Sequence, residues 1–147
     1  MMRRILHPSD FSAASNAALR KAIEMAKAGR GQLLIAHVVS PIAPVAGEGY
    51  LSPKVYDDIV ASNRAWAQKR LARLLAQAKK AGARASGALL EGVAHEQIIR
   101  FARSKHVDLV VMGTHGRSGL AKLFLGSVAG RVVSGATCPV LTVRGRS

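Results

Sequence analysis

Short apolar runs that alternate with longer amphipathic stretches constrain this 147-residue chain more than any other feature. Arg4–His7, Gln32–Val39, Arg84–Leu90, Leu109–Met112 and Val140–Val143 read as strands. Ser12–Ala28, Pro53 to about Ala81, Ala94 to about Lys105 and a short stretch from Ser127 read as helices. Ser12 is placed to cap the first helix, with Ala18, Leu19, Ala22, Ile23 and Ala26 on its inner face and Gly29-Arg30-Gly31 as its stop. Pro53 suits the first turn of the second, whose inward positions are expected at Val55, Ile59, Trp66, Leu74 and Ala78. Ile98, Ile99 and Ala102 are the expected inner face of the third. Gln32–Val39 is apolar on both faces, as a central parallel strand is, whereas Ser86 and Gly87 dilute the third strand. The order β-α-β-α-β-α-β-α-β predicts one doubly wound α/β domain over residues 1–147, a five-stranded parallel sheet with helices on both faces. Such sheets bind ligands beyond the carboxyl ends of their strands, at a topological switch point.

Composition narrows the function classes. The 49% hydrophobic content supports a compact core, and the single cysteine, Cys138, rules out a disulfide within the chain. No apolar run reaches the roughly 20 residues needed to cross a bilayer, so no membrane association is expected. The opening Met1–Pro8 lacks the apolar region of a signal peptide, which makes the cytoplasm the expected compartment. The formal charge of +14 sits largely on Arg64, Lys69, Arg70, Arg73, Lys79, Lys80 and Arg84, with Arg144 and Arg146 in the tail. It reads first as a solvated cationic helix face. With 4% aromatics there is little to stack bases on, and nucleic acid is a disfavoured partner.

The chemistry concentrates after the fourth strand. Met112-Gly-Thr-His-Gly-Arg-Ser-Gly-Leu, followed by Leu125-Gly-Ser-Val, spells G-x2-G-x9-G-S through Gly113, Gly116, Gly126 and Ser127. Glycines at a strand-to-loop junction let backbone N–H groups crowd around an anion, and the helix start at Gly126-Ser127 offers unpaired N–H groups to phosphate. Each glycine alone would read as a turn residue; the spacing after a buried strand reads as a phosphate cradle. Ser127 also suits an N-cap, a role compatible with neighbouring N–H groups holding phosphate. Three elements converge on the carboxyl ends of the strands: Pro8-Ser9-Asp10, Val38-Val39, and Gly113 onward. Asp10 has two open readings, the acceptor that orders its turn or a ligand contact, and its carboxylate could hold a divalent ion.

His115 could donate to a phosphate or ribose oxygen, and Arg117, with Lys122 behind it, could reach phosphates. His7 and His37 are expected as satisfied interior histidines, and His95 and His106 on helix surfaces. Their spacing suggests no zinc site. Ser118 is not in a G-x-S-x-G elbow, Cys138 reads as a packed residue, and Trp66 as core. The chain has neither a G-x-x-x-x-G-K-[ST] loop nor a G-x-G-x-x-G fingerprint. No catalytic residue is evident; the chain carries the binding half of a phosphate chemistry.

The residues resemble the universal stress protein family, in its nucleotide-binding branch, along nearly the whole chain. Ile5-Leu-His-Pro-Ser-Asp-Phe-Ser12 is similar to the family's first strand and P-x-D turn, with Ser9 where threonine is usual. Ala36-His-Val-Val39, Glu91–Ile98 (with Val93 in place of proline), the glycine pattern and Cys138-Pro-Val-Leu-Thr-Val-Arg144 extend the match. The resemblance implies an adenine nucleotide alpha hydrolase-like fold with strand order 3-2-1-4-5. It implies ATP or a related adenine nucleotide as ligand, optionally with Mg or Mn. The implied site is Pro8, Ser9, Asp10, Val38, Met112, Gly113, Thr114, His115, Gly116, Arg117, Ser118, Gly126, Ser127 and Val128. It also implies a homodimer through the last strand (Val140, Leu141, Thr142, Val143). The expected function is a nucleotide-responsive stress or energy signalling module with at most slow hydrolysis, read by an unidentified protein partner. The alternatives are a slow ATPase or phosphotransferase, and a nucleotide-independent interaction protein whose basic surface binds nucleic acid.

Overall fold

A computed structural model describes residues 3–41, 52–114 and 126–145. The elements run β1 (Arg4–Pro8), α1 (Ala13–Ala28), β2 (Gln32–Val39), α2 (Pro53–Lys80), β3 (Arg84–Glu91), α3 (Ala94–Ser104), β4 (Leu109–Thr114), α4 (Ser127–Gly135) and β5 (Val140–Arg144). The strands form one five-stranded sheet in the order β3-β2-β1-β4-β5, parallel at every pairing. Fold class and strand order are therefore those expected. Among the described residues no helix is long and apolar enough to cross a membrane.

Period-two alternation explains the two layers. Ile5, Leu33, Ile35, Leu109 and Val111 face α1 and α2, where Ala18, Leu19, Ala22, Leu71, Leu74 and Ala78 complete one core. Leu6, Leu34, Ala36, Val110 and Met112 face α3 and α4, against Ile98, Ala102, Ala129 and Val132. α1 begins where expected: the Ser12 side chain accepts from the Ser15 N–H at 3.2 Å. It ends at Gly29, and the chain turns back through Arg30 at φ +52°.

α2 differs in its inner face. Its buried residues are Ala67, Leu71, Leu74 and Ala78, while Val55 is 43% and Trp66 55% exposed. The expectation of Trp66 and Val55 as core is thus corrected. Trp66 lies one position before Ala67, so a turn of about 100° carries it from the sheet to the flank of the helix.

The ladder between β1 and β4 is short, ending with Leu6 opposite Val110. The cause is local. In this register the residue after His7 would give its N–H to the Val111 carbonyl, and Pro8 has none. The His7 imidazole takes that carbonyl instead, its Nδ1 donating at 2.8 Å. Beyond this point β1 and β4 part, at the place where successive crossovers turn in opposite directions along the sheet.

Candidate functional site

A cleft opens in the gap between β1 and β4, at the carboxyl ends of the strands. It holds about 630 Å³ of empty space with its open solvent mouth included. Of the residues expected at a site, Pro8, Ser9, Asp10, Val38, Met112, Gly113, Thr114, Gly126 and Val128 line it. Ser127 does not: it is exposed and borders a shallower groove with His95 and Ile99, between α3 and α4. His115, Gly116, Arg117, Ser118 and Lys122 lie outside the described residues.

The wall from β1 into α1 is a closed hydrogen-bond network. Asp10 Oδ1 accepts from the Ser12 N–H at 2.9 Å and from the Ser15 hydroxyl at 2.6 Å. The Asp10 N–H in turn donates to Ser15 Oγ at 3.3 Å. Asp10 thus has the turn-ordering role, with its exposed carboxylate at the cleft edge. Ser15 was not foreseen; its signal is a buried serine one turn into a helix otherwise lined with alanine and leucine.

The next residue, Phe11, sits at φ +67°, a strained conformation for a bulky side chain. Three contacts hold it. Its N–H donates to Ser9 Oγ at 3.0 Å, its ring stacks on His37 with centroids 4.2 Å apart, and the Arg70 guanidinium lies 5.3 Å from the ring centre. His37 also donates from Nδ1 to the Ser9 carbonyl at 2.7 Å, tying the end of β2 to the turn after β1. Its ring is half-buried rather than interior, a correction to the expectation, and it lines the cleft.

Val38 contributes backbone. The Ser9 N–H donates to the Ala36 carbonyl at 2.8 Å, so β2 turns that edge toward β1 at Ala36. Two residues on, Val38 turns the same edge toward the gap, because the β1–β2 register stops at Pro8 opposite Ala36. An N–H and a C=O are thereby presented side by side at the cleft, a pairing that reads the edge of a heteroaromatic ring.

Two helices aim uncapped N-termini at this edge of the sheet. α3 has Val93 at its N-cap without a side-chain bond, and Glu96 in its first turn offsets the positive end of its dipole. α4 has Gly126 at its N-cap, again without a side-chain bond, and no acid in its first turn. The expectation of Ser127 as cap is corrected by one residue: Ser127 already has helical geometry, and the flanking Gly126 supplies the first carbonyl, to Gly130 N–H at 2.8 Å. A mouth lined by Gly126 and Val128, at a helix N-terminus with no side-chain cap and no carboxylate in its first turn, suits an anion.

Gly113 has a second cause. A Cβ there would lie 2.6 Å from both the carbonyl carbon and oxygen of Ala14, and 2.9 Å from Ser15 N. The first turn of α1 therefore rests directly on β4, and glycine is required by packing whatever the ligand.

His7 is completely buried, and its Nε2 has no hydrogen-bond partner. The interior position is as expected, but the side chain is only half satisfied. Burial pushes its pKa down from 6.5 to about 4, against the opposing effects of the Val111 carbonyl and Asp10. It is a neutral imidazole protonated at Nδ1. Among the described residues no group of three or more His, Cys, Asp or Glu side chains could hold a metal ion.

Comparison with known proteins places these features in a family. Residues 1–144 match the family model described as "Universal stress protein family". The chain is similar to Universal stress protein MJ0531 of Methanocaldococcus jannaschii, 35% identical over 98% of this chain and 83% of that one. Among solved structures it is similar to MJ0577 of the same organism in fold, with a TM-score of 0.83, 24% identity and coverage of 100% of this chain and 99% of that one. It is also similar to a universal stress protein solved in complex with cAMP, with a TM-score of 0.71, 25% identity and coverage of 99% of both chains.

Proposed function

This chain belongs to the universal stress protein family, and from that premise we propose that it binds an adenine nucleotide, ATP, as a nucleotide-responsive signalling module. The observation that carries the reading is the N-terminus of α4, which opens on the cleft without a side-chain cap or a first-turn acid. A phosphate chain at Gly126–Val128 would satisfy those N–H groups and meet the positive end of the helix. Val38, on the far side of the cleft, would read the base edge with its backbone, and Asp10 would accept from ribose. The cAMP complex of a relative supports an adenine nucleotide as the ligand class. The residues of the glycine segment from His115 to Ser118 would complete the phosphate site, with magnesium or manganese as an optional companion.

Binding rather than turnover is the proposed role. The acidic group at the cleft, Asp10, already accepts from Ser12 and Ser15 through Oδ1, and the buried His7 is too weak a base at neutral pH. β5 is an edge strand of half-buried apolar residues, Val140 to Val143, and is proposed as the pairing edge of a homodimer.

The test is calorimetric titration of ATP into the wild type and Gly126→Asp. Gly126 has φ −54° and ψ 152°, which suit an aspartate N-cap, so the variant should fold and cap α4 with its own carboxylate. Saturable binding by the wild type, weakened at least about tenfold in the variant without loss of thermal stability, is the expected result. Equal ATP affinity in the two proteins would overturn the phosphate assignment.

A further inference from the structure

Part of the positive charge of this chain is gathered at the amino edge of the sheet. The register sets Arg4 beside Gln32 and Gln32 beside Arg84, so these residues share the amino edge of β1, β2 and β3, opposite the cleft. α1 and α2 end on the same side with Lys27, Lys79 and Lys80 in their last turns. Those lysines have a local explanation, since cations offset the negative end of a helix dipole. Arg4 has one as well, donating from Nη1 to the Lys105 carbonyl at 2.7 Å behind α3.

Arg3, Arg30 and Arg84 stand outside those last turns, Arg30 just past the end of α1; all three are exposed, and all three line one groove. Among the described residues no carboxylate pairs with their guanidinium groups. Asp108 is a carboxylate at this end, but its Oδ2 accepts from the backbone N–H groups of Arg3 at 2.8 Å and Arg4 at 2.9 Å. Arg30 takes φ +52° in the left-handed turn that closes α1, as His106 does at φ +53° after α3, so its backbone conformation has a local cause. Three guanidinium groups with no carboxylate partner among the described residues therefore line one groove, with Lys27, Lys79 and Lys80 at the same end of the sheet.

We propose that this end of the sheet, centred on Arg3, Arg30 and Arg84, binds the phosphate backbone of double-stranded nucleic acid, independently of sequence and of the nucleotide cleft. Charge complementarity sets the ligand class: closely spaced phosphates suit converging forks that each donate in pairs. The apolar surface decides between a duplex and a lipid headgroup layer. The exposed large apolar residues among those described are Val55, Trp66, Val93 and Val133, and none of them lines this groove. A membrane face without an apolar anchor holds weakly, whereas duplex binding needs charge alone. No ring lines the groove, so stacked single strands are the poorer match.

The experiment is fluorescence anisotropy with a labelled duplex of about 20 base pairs, in salt from about 50 to 200 mM. Three neutralised phosphates predict a log–log salt slope of about −2.7, which is about 40-fold weaker binding over that range. Arg30→Gly/Arg84→Ala should flatten the slope by about 1.8. The Arg30→Gly half of the variant relieves the backbone, so a loss of binding is not a loss of folding. The charge-matched Lys69→Ala/Arg73→Ala, on the exposed flank of α2, should leave affinity and slope unchanged. Saturating ATP should leave the duplex bound. Equal weakening by the two double variants would reduce the effect to net charge and overturn the proposal. So would displacement by ATP, or capture on phosphatidylserine vesicles with no duplex binding at the lowest salt.

Discussion

Gly113→Ala is expected to destabilise the fold before it touches any ligand. The added methyl carbon would lie 2.6 Å from the Ala14 carbonyl carbon and oxygen and 2.9 Å from Ser15 N, all backbone atoms that no rotamer change can move. Ordinary contact needs α1 to lift by the better part of 1 Å, and overpacking of this kind costs about 1–3 kcal/mol. The helix start cannot tilt away freely, because a Cβ at Gly145 would likewise fall 2.8 Å from Ala14 Cα: two chain segments press on one residue. At this chain length each kcal/mol moves Tm by about 2–4 °C, so a fall of roughly 2–12 °C is expected. Thermal unfolding followed by circular dichroism, with urea midpoints as a check, measures it. An unchanged Tm would refute the packing argument and return Gly113 to a purely ligand-directed role. ATP affinity should fall too, as a secondary effect, because lifting α1 moves Ser12 and Ser15 at the cleft wall.

Acid should expose the half-satisfied imidazole. His7 titrates near 4 when folded and near 6.5 when unfolded, so its contribution is complete above pH 6.5 and is lost as pH falls from 6.5 toward 4. The loss approaches about 3 kcal/mol at the low end. Urea unfolding at several pH values should show that slope, and His7→Gln, which keeps a donor but cannot titrate, should flatten this part of it; an identical slope in the variant would refute the assignment. Ser12→Ala removes the cap on Ser15 N–H and should cost about 1 kcal/mol, read as a lower urea midpoint, and an unchanged midpoint would show that the cap contributes nothing. If nucleotide and dimer are coupled through β5, sedimentation velocity should give different dimer affinities with and without ATP; equal affinities would separate them.

The alternation of strands and helices was legible because each element obeys one period: Ile5 and Leu6 go to opposite faces of the sheet, and Ala18, Leu19 and Ala22 to one face of a helix. The cleft position followed from topology. Failures came where packing distance, not hydropathy, chose the residue. α2 lies close against the sheet, and the small Ala67 fits there while the larger Trp66 is displaced to the flank, against the edge of Phe11 with ring centres 5.6 Å apart. Apolar side-chain area alone ranks those two the other way. His37 and Ser15 were missed as cleft residues because their partners, the Ser9 carbonyl and Asp10, are brought to them by the turn of Phe11, whose positive φ leaves no mark in sequence.

The glycine pattern joins positions with unlike causes. Gly126 leaves α4 without a side-chain cap at the cleft, and its backbone angles would accept other residues. In the proposed reading its value lies in what a side chain there would do to an anion. Gly113 instead admits the first turn of α1 onto β4, and no residue with a Cβ fits without movement. The two are nevertheless coupled in function, since the close approach at Gly113 is what carries Asp10, Ser12 and Ser15 to the wall facing Gly126. A substitution at Gly126 should therefore change affinity with stability preserved, and one at Gly113 should change both. That contrast separates the anion-binding part of the motif from its packing part in a way that spacing cannot.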